Sequence, residues 1–367
     1  MNPRTRLDTD MKILILCDFD GTISTHDIGY ARLKHFSSED WTAIDPTFRS
    51  FHAFCAATGI DLKVVSDRSR KKETIQRYRK EYDSIVYVGN GLSDRCAARE
   101  ADFVFAKDSL YETCVREDIP CHFYRDFHDV RRDMEKEIRG VIFDLDGTLI
   151  DASEAIYLGL NEVWQAFGRT LFPFEDLGKH LQSDLETTLG AFFSSEEVTR
   201  GIPIMRKKYE EVYLDKTRFV AGAGDVLKTL HARGTLLGVA SNKFGRFTRG
   251  ALTHLGVHGY FASVVGAGDV RRNKPFPDMI HAALREMNLP AEDVVFVGDT
   301  PSDIETGKNA GVDVYALPTG FHSKLELSEA RPKRILKRLD ELIDLTARAG
   351  QSQRPVRVPF FLRPRVS

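Results

Sequence analysis

An apolar run ending in Asp-x-Asp-Gly-Thr occurs twice in this 367-residue chain, and no other feature constrains its fold as strongly. Residues 13–23 read ILILCDFDGTI and residues 141–150 read VIFDLDGTLI. Two further pieces recur in the same order. VVSDR (64–68) answers GVASNK (238–243), and VYVGNGLSD (86–94) answers VFVGDTPSD (295–303). Continuous Val/Ile/Leu runs alternating with helical stretches indicate parallel strands covered on both faces. Small and acidic residues at the carboxyl ends of such strands lie where an open α/β sheet builds its site. The reading is α/β, with two tandem Rossmann-type parallel-sheet domains.

The spacing sets the boundaries. A polar N-terminus (1–10) precedes a first domain over 11–137, and a second domain follows over 138–348. Between the cores lies the charged run Arg131-Arg132-Asp133-Met134-Glu135-Lys136-Glu137, read as a solvated helix end. Residues 349–367 hold three prolines and four arginines without an acid, and are read as a basic flexible tail.

Composition narrows the function. With 52 Lys plus Arg against 54 Asp plus Glu, the formal charge is −2, which disfavours a nucleic-acid binder. No apolar run approaches the roughly 18 residues of a membrane span, and the first residues contain no signal-peptide core. Five cysteines without a C-x-x-C pair argue against a zinc site or a disulfide framework. A cytoplasmic protein with reduced thiols is expected, acting on a small molecule rather than on nucleic acid or membrane.

The second half carries the chemistry. Asp144 and Asp146 flank Leu145 at a strand end, so both carboxylates leave on one side. Such a pair can hold a hard cation, activate water or attack an electrophile. Ser241 and Asn242 add hydroxyl and amide donors after another strand, and Lys274 adds a positive charge. Asp299 and Asp303 close a third strand with two more carboxylates. Carboxylates for Mg²⁺ with donors and a lysine around them suit phosphoryl transfer.

DLDGTLID, VASNK, NKPFPD and GDTPSDIETGKNAG together resemble the haloacid dehalogenase (HAD) superfamily over residues 139–345, in its phosphoglycolate-phosphatase-like branch. The resemblance implies a Mg²⁺-dependent phosphatase acting on a small phosphorylated metabolite. Asp144 would be the nucleophile that becomes an aspartyl-phosphate. Asp146 would protonate the leaving alcohol and then activate water. Mg²⁺ would be held by Asp144, the Asp146 carbonyl and Asp299, with Asp303 in support. Ser241, Asn242 and Lys274 would grip the phosphoryl group. A phosphomutase using the same intermediate, and a non-catalytic regulatory or assembly protein built on two such folds, are the alternatives. The amphipathic stretch over about 152–217 resembles the helical cap of that branch, with Arg169, Lys179 and His180 as polar candidates, all better read as solvated.

The first half, through DFDGTIS and GLSDRCAAREADFVFAKDSL, resembles phosphoserine-phosphatase-related enzymes, including the phosphatases of methionine salvage. Asp18 to Ser66 spans 48 residues against 97 from Asp144 to Ser241, leaving no room for a comparable cap. Ser66 to Lys72 spans 6 against 33 from Ser241 to Lys274, too few for a helix plus a strand, so one βα unit is expected to be missing. Asn90 stands where the second half has Asp299. The expected vestigial set is Asp18, Asp20, Ser66, Lys72, Asn90 and Asp94, in a capless domain read as a degenerate scaffold or interaction domain, with weak or altered phosphatase activity, or binding of a phosphorylated ligand that regulates the second site, as the alternatives.

Overall fold

The computed structural model describes residues 12–18, 22–23, 46–65, 70–181 and 185–346. They form two compact units. One comprises the described residues up to Glu137 together with Arg331–Ile335 and 344–346, and the other comprises Ile138–Ala330 with Leu336–Ile343. The N-terminal residues 1–10 and the basic tail lie outside the described residues.

In the N-terminal unit, β1 (Ile13–Asp18) is buried along its whole length and sits between β2 (Asp61–Val65) and β3 (Ser84–Gly89). β4 (Phe103–Ala106) and β5 (His122–Phe123) extend the parallel sheet beyond β3. Helices α1 (Pro46–Thr58), α2 (Lys71–Tyr78), α3 (Arg95–Glu100), α4 (Asp108–Arg116) and α5 (Phe127–Glu135) connect these strands. Alternate residues of β1 serve opposite faces, as the strand period requires. Ile13, Ile15 and Cys17 pack with Phe51 of α1 and Phe127 of α5, whereas Leu14 and Leu16 pack with Ile75 of α2 and Ala97 of α3. Both faces are covered, which is why the strand reads as an unbroken apolar run.

The C-terminal unit centres on β6 (Gly140–Phe143). A small two-stranded sheet follows, β7 (Ile150–Asp151) against β8 (Arg218–Phe219), antiparallel. Helices α6 (Ser153–Ala166), α7 (Leu177–His180), α8 (Leu185–Gly190) and α9 (Ser195–Lys216) lie between those two strands. They share an apolar core that includes Leu160, Val163, Trp164, Leu189, Met205 and Tyr209. At Gly201 the helices approach closely, since a Cβ there would lie 2.9 Å from Val163 Cγ1. Ser194 starts α9 with a reciprocal cap: its hydroxyl faces the Glu197 N–H, and Glu197 accepts from the Ser194 N–H at 2.9 Å. His180 stacks on Phe172, while Lys179 and Arg169 pair with Asp176 and Glu197 on the surface.

The chain then alternates helix and strand. In order come α10 (Ala223–Ala232), β9 (Leu236–Phe244), α11 (Gly245–His254), β10 (Phe261–Ala267), α12 (Asp278–Met287), β11 (Val294–Gly298), α13 (Pro301–Asn309) and β12 (Asp313–Ala316). The five-stranded parallel order is β10-β9-β6-β11-β12. The order β2-β1-β3-β4 in the N-terminal unit matches β9-β6-β11-β12, and among the described residues nothing answers β10.

Two departures from the sequence reading share a cause. The domain expected over 138–348 is interrupted, because β13 (Arg334–Ile335) pairs antiparallel with β5 through Arg334 and His122 in the N-terminal unit. The charged run 131–137 is also not wholly solvated. Asp133 is 3% exposed, with Lys333 at 2.6 Å and His122 at 3.3 Å. Buried charges need partners, and the returning segment supplies the cation. No helix among the described residues is long and apolar enough to cross a membrane.

Candidate active site

Asp144 follows β6 directly and is 6% exposed; its N–H donates to the Val297 carbonyl of β11 at 2.8 Å. The chain then turns through Gly147, which has φ +82° and faces Asp299 so closely that a Cβ would lie 2.3 Å from Asp299 Oδ2. Only glycine meets both the positive φ and that contact. The Thr148 hydroxyl donates to Asp299 Oδ1 at 2.9 Å, fixing the carboxylate at the tip of β11. Asp303 lies in the first turn of α13, held by a reciprocal cap: its N–H donates to the Thr300 hydroxyl, which donates to Asp303 Oδ2 at 2.7 Å.

Lys274 joins these strand ends. Its ammonium donates to Asp144 Oδ1 and to Asp303 Oδ1, each at 2.6 Å, and all three side chains are buried. Burial alone would lower the lysine pKa, but the Asp144 and Asp303 carboxylates outweigh it and hold the value above the usual one. Burial raises Asp144 to about 6, with Lys274 opposing the rise and Asp303 adding to it. Burial also pushes Asp299 well up, with Asp144 and Asp303 adding to the effect.

Oxygens of Asp144, Asp299 and Asp303 all lie within 4.8 Å of one another. Three buried carboxylates facing one lysine leave an excess of negative charge, and an all-oxygen donor set of this kind fits a hard divalent cation such as Mg²⁺.

The remaining expected residues divide. Ser241 is buried near the end of β9, and its hydroxyl accepts from the Lys243 N–H at 3.3 Å. The Asn242 side chain is tied to the Lys274 backbone. Its amide oxygen accepts from the Lys274 N–H at 2.9 Å and its amide nitrogen donates to the Lys274 carbonyl at 3.4 Å, so it holds the lysine segment in place. The Asp146 carboxylate stands apart from the three-carboxylate cluster, with both oxygens 2.8 Å from the Lys243 ammonium. The sequence reading passed over Lys243; its only signal was its place at the end of the quoted VASNK.

The N-terminal unit holds a matching arrangement with altered charge. Lys71 lies 2.7 Å from Asp18 Oδ1 and 2.5 Å from Asp94 Oδ1, fully buried. The expected lysine was Lys72, and that is corrected: Lys72 is half exposed and pairs with Glu100. Neighbouring helix residues point about 100° apart, so only one of the pair can face inward. Asn90 takes the place of Asp299, and Thr22 donates to its Oδ1 at 3.2 Å as Thr148 does to Asp299. Tyr87, aligned with Phe296, adds a hydroxyl that donates to Asp94 at 2.7 Å. Asp20 and Ser66 lie outside the described residues.

Residues 141–317 match the haloacid dehalogenase-like hydrolase family. A phosphoglycolate phosphatase of Aquifex aeolicus is 28% identical over 208 residues, 57% of this chain and 96% of that one. A phosphoglycolate phosphatase of Shigella boydii is 27% identical over 232 residues, 57% of this chain and 92% of its own. The crystal structure of a predicted phosphatase from Clostridium acetobutylicum superposes with a TM-score of 0.52 at 27% identity, covering 57% of this chain and 97% of that one. The C-terminal portion of the chain therefore belongs to the haloacid dehalogenase superfamily, with phosphoglycolate-phosphatase-like homologues, and the protein is a phosphatase-type enzyme.

Proposed function

We propose that the C-terminal unit hydrolyses a small phosphate monoester through an aspartyl-phosphate on Asp144, with Mg²⁺ as cofactor. The observation that carries this reading is the buried bridge of Lys274 between Asp144 and Asp303, beside Asp299.

Asp144 attacks phosphorus, and the bond from phosphorus to the ester oxygen breaks. Asp146 delivers a proton to that oxygen, so the alcohol leaves neutral. Water then attacks the acyl phosphate, Asp146 accepts its proton, and orthophosphate departs from Asp144. Lys274 offsets the repulsion between an anionic nucleophile and an anionic ester, with its segment held by Asn242. Ser241 contributes a hydroxyl to the phosphoryl oxygens. Mg²⁺ would be held by the Asp144 and Asp299 carboxylates and the Asp146 carbonyl, supported by Asp303, and would neutralise phosphoryl charge. Helices α6 to α9 act as a cap that excludes water and contacts the organic part of the ester.

The N-terminal unit is read as a capless, degenerate domain of the same kind, supported by its matching strand order and its Asp18–Lys71–Asp94 cluster. The compartment is read as cytoplasmic, in keeping with free cysteines of which four are buried.

Assay of the purified full-length protein with Mg²⁺ on a phosphate-ester panel beginning with phosphoglycolate tests the function. Orthophosphate release is expected from the wild type and none from Asp144→Asn. Equal turnover by both proteins overturns the assignment. Return of the phosphoryl group to another position of the substrate, without orthophosphate, would make the enzyme a mutase.

A further inference from the structure

Lys243 reaches the site through a break in the sheet. In the pairing of β9 with β10, Ser241 faces Gly266 and Phe244 faces Ala267, so Asn242 and Lys243 bulge out of the ladder. The bulge fits because Gly266 has no side chain: a Cβ there would lie 2.5 Å from Gly245 Cα and 2.7 Å from the Lys243 carbonyl. The Thr248 hydroxyl donates to that carbonyl at 3.2 Å and anchors the bulge from α11.

Two groups meet the ammonium from different parts of the unit. From the core, both Asp146 oxygens lie 2.8 Å away. From the cap, the Tyr209 ring of α9 lies 4.7 Å from Nζ to the ring centroid. Tyr209 is itself wedged between Tyr213 and Phe247, with ring centroids 5.5 and 5.2 Å away. Its buried hydroxyl, beside the Lys243 ammonium, makes no hydrogen bond of ordinary geometry. The Lys243 side chain is 7% exposed, yet Asp146 and Tyr209 together outweigh the effect of burial and keep it firmly cationic. A cation gripping both carboxylate oxygens restricts the rotation of an otherwise freely turning Asp146. A lysine that also rests on a cap ring can do so fully only when the cap is seated.

We propose that Lys243 is a positioning residue that orients Asp146 for proton transfer, and that its contact with Tyr209 makes that orientation depend on the cap. This rests on the reading of Asp146 as the acid–base residue. Lys243 touches neither the phosphoryl group nor the metal cluster in this scheme; it acts on the rate through Asp146 alone.

The test is a double-mutant cycle in the full-length enzyme, using the best alkyl ester from the phosphate panel. Asp146→Asn should lower kcat about 100-fold or more, the size of a lost general acid–base. Lys243→Met should lower kcat about tenfold with KM changed less than about twofold, and Lys243→Arg should retain most of the rate. In the Asp146→Asn background Lys243→Met should have no further effect, since the two act as one unit. Tyr209→Leu keeps the lysine and supplies a second probe if Lys243→Met fails to fold. It should lower kcat about threefold, again only when Asp146 is present. A Lys243→Met or Tyr209→Leu loss that persists unchanged beside Asp146→Asn, or falls on KM alone, overturns the inference. Full turnover by Asp146→Asn would instead overturn the acid–base reading beneath it.

Discussion

The two units set nearly the same lysine between nearly the same aspartates and differ in how much negative charge surrounds it. Lys274 faces Asp144 and Asp303 with Asp299 beside them, whereas Lys71 faces Asp18 and Asp94 with the neutral Asn90 beside them. Gly298 and Gly89 repeat one another as well. A Cβ on either would lie 2.4 or 2.5 Å from the aspartate that opens the next helical turn, Asp303 or Asp94. An aspartate–lysine–aspartate bridge by itself leaves one excess negative charge in either unit. The third carboxylate, Asp299, raises the excess to two, the charge a divalent cation would neutralise.

The largest expected effect removes the lysine from each bridge. Lys71→Met and Lys274→Met each leave two buried carboxylates without their cation, which should cost about 3–5 kcal/mol. Hydrogen exchange read unit by unit would separate them. Added Mg²⁺ should restore part of the loss in Lys274→Met and none in Lys71→Met; equal rescue of both would break the comparison.

Exchanging the third group comes next. Asp299→Asn should weaken Mg²⁺ binding about 100-fold, and Asn90→Asp should add a second Mg²⁺-binding event per chain by calorimetry. If Asn90→Asp adds none, the N-terminal unit lacks more than charge, and the want of a counterpart to β10 among the described residues becomes the candidate cause.

A smaller difference follows from pH. Burial holds His122 down to about 4, aided by Arg334 and opposed by Asp133. The unfolded value is about 6.5, so as pH falls the unfolded chain takes up the proton first. The stabilisation is complete above about pH 6.5 and is lost toward pH 4, amounting to about 2 kcal/mol by pH 5. Denaturant unfolding at pH 8 and pH 5 should show the N-terminal unit weakening, and His122→Gln should flatten that dependence. An unchanged pH dependence in His122→Gln would assign the acid sensitivity elsewhere.

The smallest expected effect lies at Tyr87, whose hydroxyl donates to Asp94 where the other unit has Phe296. Tyr87→Phe should destabilise by about 1 kcal/mol, the net worth of a hydrogen bond to a carboxylate partner. A loss above about 3 kcal/mol would show that the hydroxyl, and not the lysine, organises that site.

Much of the arrangement was legible in order along the chain. The strand ends carrying Asp144, Ser241 and Asp299, with Asp303 just beyond the last, could be read because buried parallel strands are unbroken apolar runs and acids cannot lie inside them. The Thr148–Asp299 contact was not legible, since it joins residues 151 positions apart through a turn that only Gly147 permits. Lys243 was present in a quoted motif, yet a lysine after a strand is usually solvated, and only the bulge against Gly266 turns it inward.

By itself the sequence determined where the buried apolar strands lie and end, and that Asn90 stands in the first half where Asp299 stands in the second. Those properties are local: periodicity, composition and spacing carry them. Tertiary structure alone decided that Lys71 and not Lys72 enters the N-terminal cluster, that Asn242 serves Lys274, and that Arg331–Ile335 return to the N-terminal unit. Helix phase and long-range partners settle such choices. A buried charge is tolerated only beside a partner, and the chain can be nearly any length between them.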